Sequence, residues 1–476
     1  MAAHDATDLC FAPIEDLGGL LAKKDLSPVE LTGAVLDRAE RHNDEMRVYI
    51  TIVRDVALEQ ARQAEREILD GGYRGPMHGI PIALKDNVET QGIRTSCASL
   101  VDPDWVPNSD ATVYRKLREA GAILIGKANL FEYAFSMTDA FPQPLNPWHP
   151  ERTSAGSSSG SAVAVAIGMA QGSIGSDTGG SGRMPAHVNG VVGLKPTYGR
   201  ASRAGLVPLS FSLDNPSVFA RTVRGAGLMM EAISGHDPRD EYSAAVAVPD
   251  MTGKIGRDIT GLRIGVARGY TISGVDPDVD AAMARALAVL QGLGASVDEA
   301  DLPYVEHCVA LQNAIMLTEA ASVHYKTVRE TPELLGETAL MRLDMGSVIP
   351  ATDYIHAQQV RKLMRNAFRE LFERFDVIIG PANPARAGAA GSWMTEIEGK
   401  AYDLRQVGPE YTGIYNLAGI PAIVVPAGFT SEDTPIGLQI AGPWFDEPTV
   451  LQVAGAYEQA TDWHAKRPPL PRDQAA

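Results

Sequence analysis

The sequence predicts an α/β fold, with helices covering a largely buried sheet. The apolar runs Ile80-Pro81-Ile82-Ala83-Leu84 and Ile123-Leu124-Ile125 have the length of strands buried on both faces. Between them, DATVYRKLREAGAILIGKANL reads as a helix, a turn at Gly121 and then the second of those strands. A serine- and glycine-dense block over residues 151–199 brackets the apolar run Ala162-Val163-Ala164-Val165-Ala166-Ile167, which needs a core to pack against. A flexible linker would be polar throughout, so the block reads as loop, buried helix, tight glycine turn and strand.

The remaining elements follow in order. Residues 13–70 read as helical. Ser27 is placed to cap a helix that has Pro28 at its first position and Glu30 at its third, with Leu31, Val35, Leu36 and Ala39 at helical spacing. A second helix begins near Val53 and stops at Gly71-Gly72. Residues 237–262 are polar and rich in turn formers. GLRIGVARG then gives a strand, followed by a helix around 279–284, the segment 295–303, and two helical stretches between Val305 and Phe375. Val377 to Gly380 forms another strand. The segments around YNLAGIPAIVVPAG and PIGLQIAG are apolar strands punctuated by Gly and Pro, closed by an amphipathic helix.

With 476 residues, 45% hydrophobic and 21% charged, the chain has room for one large domain or two to three ordinary ones. Lys and Arg number 42 against 59 Asp and Glu, for a formal charge of −17 and an isoelectric point near 5.1. That balance argues against nucleic acid or an anionic membrane as the main partner. Cys10, Cys97 and Cys308 are sparse and follow no metal-ligand spacing, which suggests a reducing compartment. The N-terminal stretch lacks the apolar core of a signal peptide, and no apolar run reaches the ~20 residues that span a bilayer. The expectation is a cytoplasmic protein with a small-molecule substrate, no nucleic acid and no membrane.

Chemistry concentrates in the serine block. Candidate nucleophiles are Ser157, Ser158 and Ser159, and Ser181 within Asp177-Thr178-Gly179-Gly180-Ser181-Gly182. A serine hydroxyl needs a base to take its proton, and a Gly-Gly-Ser turn exposes consecutive N–H groups able to hold an oxyanion. No Ser-His-Asp arrangement stands out, and His236-Asp237-Pro238 reads as a turn. Lys85, at the end of an apolar strand, is the candidate base, because burial lowers an amine's pKa. An isolated GGS is equally a tight loop, and a lone lysine at a strand end is equally a solvated terminus. The residues alone leave those alternatives open.

Taken together the motifs resemble the amidase signature family of Ser-Ser-Lys hydrolases. The resembling pieces are GIPIALKDN (79–87), AGSSSGSAVAVA (155–166), GSDTGGSGRMPA (175–186), GVVGLKPTYGR (190–200), YNLAGIPAIVVPAG (415–428) and PIGLQIAG (435–442). The resemblance implies one α/β domain with a large, mixed, twisted central sheet covered by helices. It implies Lys85 as general base, Ser157 as bridging serine on a cis peptide bond, and Ser181 as nucleophile. The backbone N–H groups of Thr178, Gly179, Gly180 and Ser181 would form the oxyanion hole, with Ser158 supporting the lysine. No cofactor and no metal are implied. Residues 1–70 would form a helical segment packed on the main domain or contributing to a homodimer interface. The main domain would span 71–470, with 240–375 its most variable part.

The implied activity is hydrolysis of a linear carboxylic amide through a seryl acyl-enzyme. The alternatives are an esterase or carbamate hydrolase of the same family, and the glutaminase subunit of a tRNA-dependent amidotransferase. Two positions depart from the family pattern: Gly182 replaces a branched aliphatic residue, leaving a wider acyl pocket or a looser turn, and Ser159 replaces a frequent glycine. Arg361 is the candidate for a substrate carboxylate. The position where glutamine-using members carry an acid is Pro409, with Glu410 adjacent. Phe131, Tyr133, Phe135, Trp393 and Tyr411 are candidate walls of the substrate pocket.

Overall fold

The computed structural model describes residues 5–271 and 274–470, so the first four residues of the N-terminal segment lie outside what is described. Thirteen strands form in chain order. They are β1 (Tyr49–Ile52), β2 (Pro81–Lys85), β3 (Ile123–Ala128), β4 (Gly172–Asp177), β5 (Val192–Lys195), β6 (Asn215–Ala220), β7 (Arg263–Arg268), β8 (Ser296–Asp301), β9 (Val377–Pro381), β10 (Met394–Ile397), β11 (Lys400–Asp403), β12 (Ala422–Phe429) and β13 (Pro435–Ala441). Eleven of them build one sheet in the order β1-β3-β2-β4-β6-β5-β12-β13-β9-β7-β8, while β10 and β11 form a separate hairpin. The large sheet is mixed. Strand β2 runs parallel to β3 and β4, β7 runs parallel to β8 and β9, and the remaining neighbours are antiparallel. The expected α/β architecture is therefore present, and among the described residues no helix is long and apolar enough to cross a membrane.

Strands β2 and β3 are buried at every position, which their continuous apolar runs anticipated. Strand β4, GSIGSD, is equally buried although it is mostly glycine and serine. Its small residues let the helix Ser159–Ala166 approach closely: the Ser161 hydroxyl donates to the Ile174 carbonyl at 3.1 Å and that of Ser158 to the Ser176 carbonyl at 3.0 Å. A strand held by close approach rather than by apolar side chains carries no period-2 signal, and the sequence reading passed over it. The helix itself is buried on all sides, as its uniformly apolar run requires. A Cβ on Gly160 would sit 2.5 Å from the Asn129 carbonyl oxygen, so only glycine fits its first turn.

The N-terminal helix Pro28–Met46 is capped by Ser27, whose hydroxyl accepts from the N–H groups of Val29 and Glu30. Its Leu31, Val35, Leu36 and Ala39 are buried in the same core cluster as Ile82 and Leu84. The segment is not purely helical, because β1 emerges from it and pairs antiparallel with β3 as an edge strand. Between residues 305 and 375, where two helical stretches were expected, four α-helices form: Cys308–Val323, Tyr325–Glu330, Glu337–Ser347 and Ala351–Arg374. Pro332, Gly336 and Pro350 mark the breaks. Further on, Leu404–Gly408, a π-helical turn over Pro409–Gly413, and Ile414–Ala418 follow one another without interruption.

One ion pair ties these parts together. The side chains of Asp177, at the end of β4, and Arg183, after the glycine turn, are both 0% exposed and meet at 2.9 Å. Asp177 also accepts from the N–H groups of Gly180 and Gly182 and from the Asn416 amide. Arg183 reaches across to the Thr412 carbonyl, Gln439 and Asn416. The guanidinium and these donors hold the Asp177 carboxyl down at about 2 despite complete burial. Replacing Arg183 with Met would leave a buried carboxylate without its counter-charge. Urea unfolding at neutral pH is expected to show a stability loss of roughly 3–5 kcal/mol, while a variant as stable as the parent would show that the pair is dispensable.

Candidate active site

Lys85 closes β2 with its amine fully buried among hydroxyls. Its Nζ lies 2.7 Å from Ser157 Oγ, 2.9 Å from Ser158 Oγ and 2.8 Å from Ser176 Oγ. Burial lowers its pKa to about 7, with Asp177, Asp214 and Cys97 pulling the other way. Ser176 was not anticipated from the sequence. It projects from β4, the strand whose glycine and serine composition hid it. The Gly156–Ser157 peptide bond is cis, the geometry the family resemblance implied for this serine.

Ser181 is half-buried and lines the same pocket as Ser157. Of the four N–H groups expected to face an oxyanion, those of Thr178, Gly179 and Ser181 have no acceptor among the described residues. That of Gly180 departs from the expectation, since it donates to the Asp177 carboxylate at 2.8 Å. Gly180 serves the turn in another way. Its φ of 130° lies in the region that favours glycine, and a Cβ there would be 2.2 Å from Thr412 Oγ1. Gly182 has no room for a side chain: a Cβ on it would lie 2.5 Å from Ser217, which occupies that place.

The pocket over the two serines encloses about 150 Å³. Phe131, Phe135, Met184, Met316 and Trp393 supply apolar wall, and Phe131 meets the edge of Trp393 at 5.5 Å between centroids. Two polar groups that the sequence reading missed also face it. Arg342, on the helix Glu337–Ser347, is largely buried with its guanidinium 3.8 Å over the Phe135 ring. It has no carboxylate within ion-pair distance among the described residues, whereas its neighbour Arg405 is paired with Asp403 at 2.6 Å. Burial lowers the Arg342 pKa to about 10, and the nearby charge of Arg405 adds to the effect. A signal was available, because Ala339, Leu343 and Gly346 are buried and Arg342 shares that side of the helix. Gln312 is the second group. It is 7% exposed, its Oε1 lacks a partner, and it wedges between Gly179 and Gly413, neither of which has room for a Cβ. Among the described residues, no Asp or Glu lines the pocket.

Three expected pocket residues lie elsewhere. Arg361 donates to the carbonyls of Leu417 and Ser212 and to the Ser212 hydroxyl, bracing the end of the 414–418 helix. Tyr411 stacks on Tyr270 at 4.1 Å in the interior, while its π-turn neighbours Pro409 and Thr412 face the pocket. Tyr133 packs on His324 and lines a different cavity from Phe131 and Phe135. Glu410 turns away and accepts from Thr271. Among the described residues, no three His, Cys, Asp or Glu side chains are grouped to hold a metal ion.

The amidase family model matches residues 30–451. A glutamyl-tRNA(Gln) amidotransferase subunit of Heliobacterium modesticaldum is 40% identical, over 96% of this chain and 98% of that protein. A solved structure of a glutamyl-tRNA(Gln) amidotransferase subunit from Thermotoga maritima is 32% identical with a TM-score of 0.81, covering 98% of each chain. A structure of 6-aminohexanoate cyclic dimer hydrolase with bound substrate is 27% identical with a TM-score of 0.88, covering 97% of this chain and 99% of that one.

These relatives correct the partner expectation of a small molecule, no nucleic acid and at most a second copy, since several are named as one subunit of an enzyme named for a tRNA. The charge balance behind that expectation describes this chain's own surface, and a subunit of a larger enzyme need not itself carry a basic surface. The motifs, the mixed eleven-stranded sheet and these matches agree across nearly the whole length: the chain belongs to the amidase signature family.

Proposed function

We propose that the protein cleaves a carboxamide C–N bond through an acyl-enzyme on Ser181, with Ser157 as the bridging serine and Lys85 as the base. The observation that carries this reading is a buried lysine of lowered pKa whose hydrogen-bonding neighbours, among the described residues, are three hydroxyls. A neutral amine has two N–H donors and one lone pair. The Ser158 hydroxyl already donates to the Ser176 carbonyl, so it accepts from Lys85. With Ser176 taking the second N–H, the lone pair is left for the Ser157 proton. Lys85 takes that proton while Ser157 takes the one on Ser181, and Ser181 Oγ attacks the carbonyl carbon. The N–H groups of Thr178, Gly179 and Ser181 receive the oxyanion. Collapse of the tetrahedral intermediate breaks the C–N bond, the proton returns through Ser157 to the departing nitrogen, and ammonia or an amine leaves. Water then repeats the sequence on the ester and releases the carboxylic acid.

For the substrate, the named relatives support glutamine, with the chain acting as the glutaminase subunit of a tRNA-dependent amidotransferase. Arg342 would then face the substrate carboxylate. A second reading, a free-standing amidase or an ester or carbamate hydrolase, is favoured by one observation: with Pro409 on the wall, no carboxylate among the described residues lines the pocket to pair with the α-ammonium of glutamine.

Ammonia or amine release from a panel of glutamine, aliphatic and aromatic amides, matched esters and carbamates separates these readings. Activity confined to glutamine supports the subunit reading, and activity on simple amides supports the amidase. Ser181→Ala should lower turnover by roughly 10³-fold or more, and Lys85→Met by about 10²–10⁴-fold; full activity in both would remove the mechanism. Because only the neutral amine has a lone pair, kcat/KM should be low below the Lys85 pKa and rise with pH through about 7. A flat profile between pH 5 and 9 would contradict lysine as the base.

A further inference from the structure

The short loop from Phe131 to Phe135 is a wall between two cavities. Phe131, Ala134 and Phe135 face the active pocket, while Tyr133 faces a second cavity of about 340 Å³. The backbone joins the two sides. The Phe131 N–H donates to the Ser157 carbonyl at 3.1 Å, and the Tyr133 N–H donates to the carbonyl of Cys97, which lies in the second cavity, at 2.9 Å.

That cavity has a distinct chemical character. Glu89 and Asp102 line it, no lysine or arginine among the described residues does, and Trp105 and Tyr133 add aromatic surface. Glu89 is half-buried and has no ion-pair partner among the described residues. The two cations whose charge reaches it are engaged elsewhere, Lys127 with Asp86 at 3.3 Å and Arg239 with Asp237 at 3.6 Å. Burial consequently holds the Glu89 carboxyl above its usual pKa even against those charges. Trp105, 39% exposed, presents a large apolar face at the edge of a polar surface, an arrangement that suits a ligand with a charged head and an apolar body. The charged side chains that line the cavity are both carboxylates, which disfavours an anion, and a neutral apolar ligand would strip water from Glu89 without replacing it.

We propose that this second cavity is a binding site for an organic ammonium ion, its charge against Glu89 and Asp102 and its apolar substituent against Trp105 and Tyr133. The probe is benzylamine, protonated at neutral pH, titrated by calorimetry into the full-length Ser181→Ala chain, with benzyl alcohol as its uncharged counterpart. Saturable binding is expected, weakened roughly fivefold or more by Glu89→Gln and by Trp105→Ala, with benzyl alcohol binding much more weakly. Asp102→Asn, at an exposed position, is a second charge variant should Glu89→Gln disturb folding. No saturable binding up to about 10 mM, equal binding of the alcohol, or binding indifferent to all three substitutions would overturn the proposal. The titration reads no turnover, so it stands or fails separately from the amide-hydrolysis reading.

Discussion

The ion pair between Asp177 and Arg183 is the constraint on which the geometry of the serine turn depends. Its carboxylate holds two N–H groups of the glycine turn from beneath, and its guanidinium ties the same turn to the π-helical stretch and to β13. The turn places Ser181 on the pocket wall, the π-helical stretch supplies Pro409 and Thr412 to the same pocket, and β13 belongs to the central sheet. Burying two charges is costly unless every donor and acceptor is used. Here Asn416 occupies a further position on the carboxylate and Gln439 one on the guanidinium. The turn so held keeps three N–H groups, those of Thr178, Gly179 and Ser181, without an acceptor among the described residues.

Three buried lysines in this chain differ in the partners that surround them. Lys127 is compensated by Asp86 and also donates to Thr95 and to the Val88 carbonyl. Lys195 donates to the carbonyls of Pro196 and Ile420. Lys85 meets three hydroxyls. A carbonyl can only accept a proton-mediated bond, so it fixes an amine as a donor; a hydroxyl can either give or take. Lys195 has no hydroxyl among these partners and Lys127 has one, whereas Lys85 has three, and this difference underlies the role proposed for it.

Much of the frame was legible in the sequence because it rests on local chemistry: the cap at Ser27, the doubly buried strands β2 and β3, and the lysine and serines brought together by the family motifs. What escaped notice has identifiable causes. Strand β4 and Ser176 are built from residues with little strand preference, held in place by a helix that packs close enough for glycine and serine alone. Arg361 was read as a ligand because a helical arginine gives no sign of its partners, and these prove to be the carbonyls of Leu417 and Ser212. Arg342 sits among buried positions of its helix and was detectable by spacing. Tyr133 was grouped with Phe131 and Phe135 by sequence proximity, although alternate residues of a loop can face opposite ways.

The π-helical turn at Pro409–Gly413 bears on how specificity in this scaffold can change over time. A helix advances each residue by about 100°, so one residue gained or lost in that turn redirects the side chains that follow, with no substitution among them. In the present register Pro409 faces the pocket and the carboxylate of Glu410 is turned to Thr271. An acid thus stands one position away from the substrate wall. A lineage carrying this sequence could acquire or discard a charge contact with substrate through a single insertion or deletion, a route that position-by-position comparison of residues would not reveal.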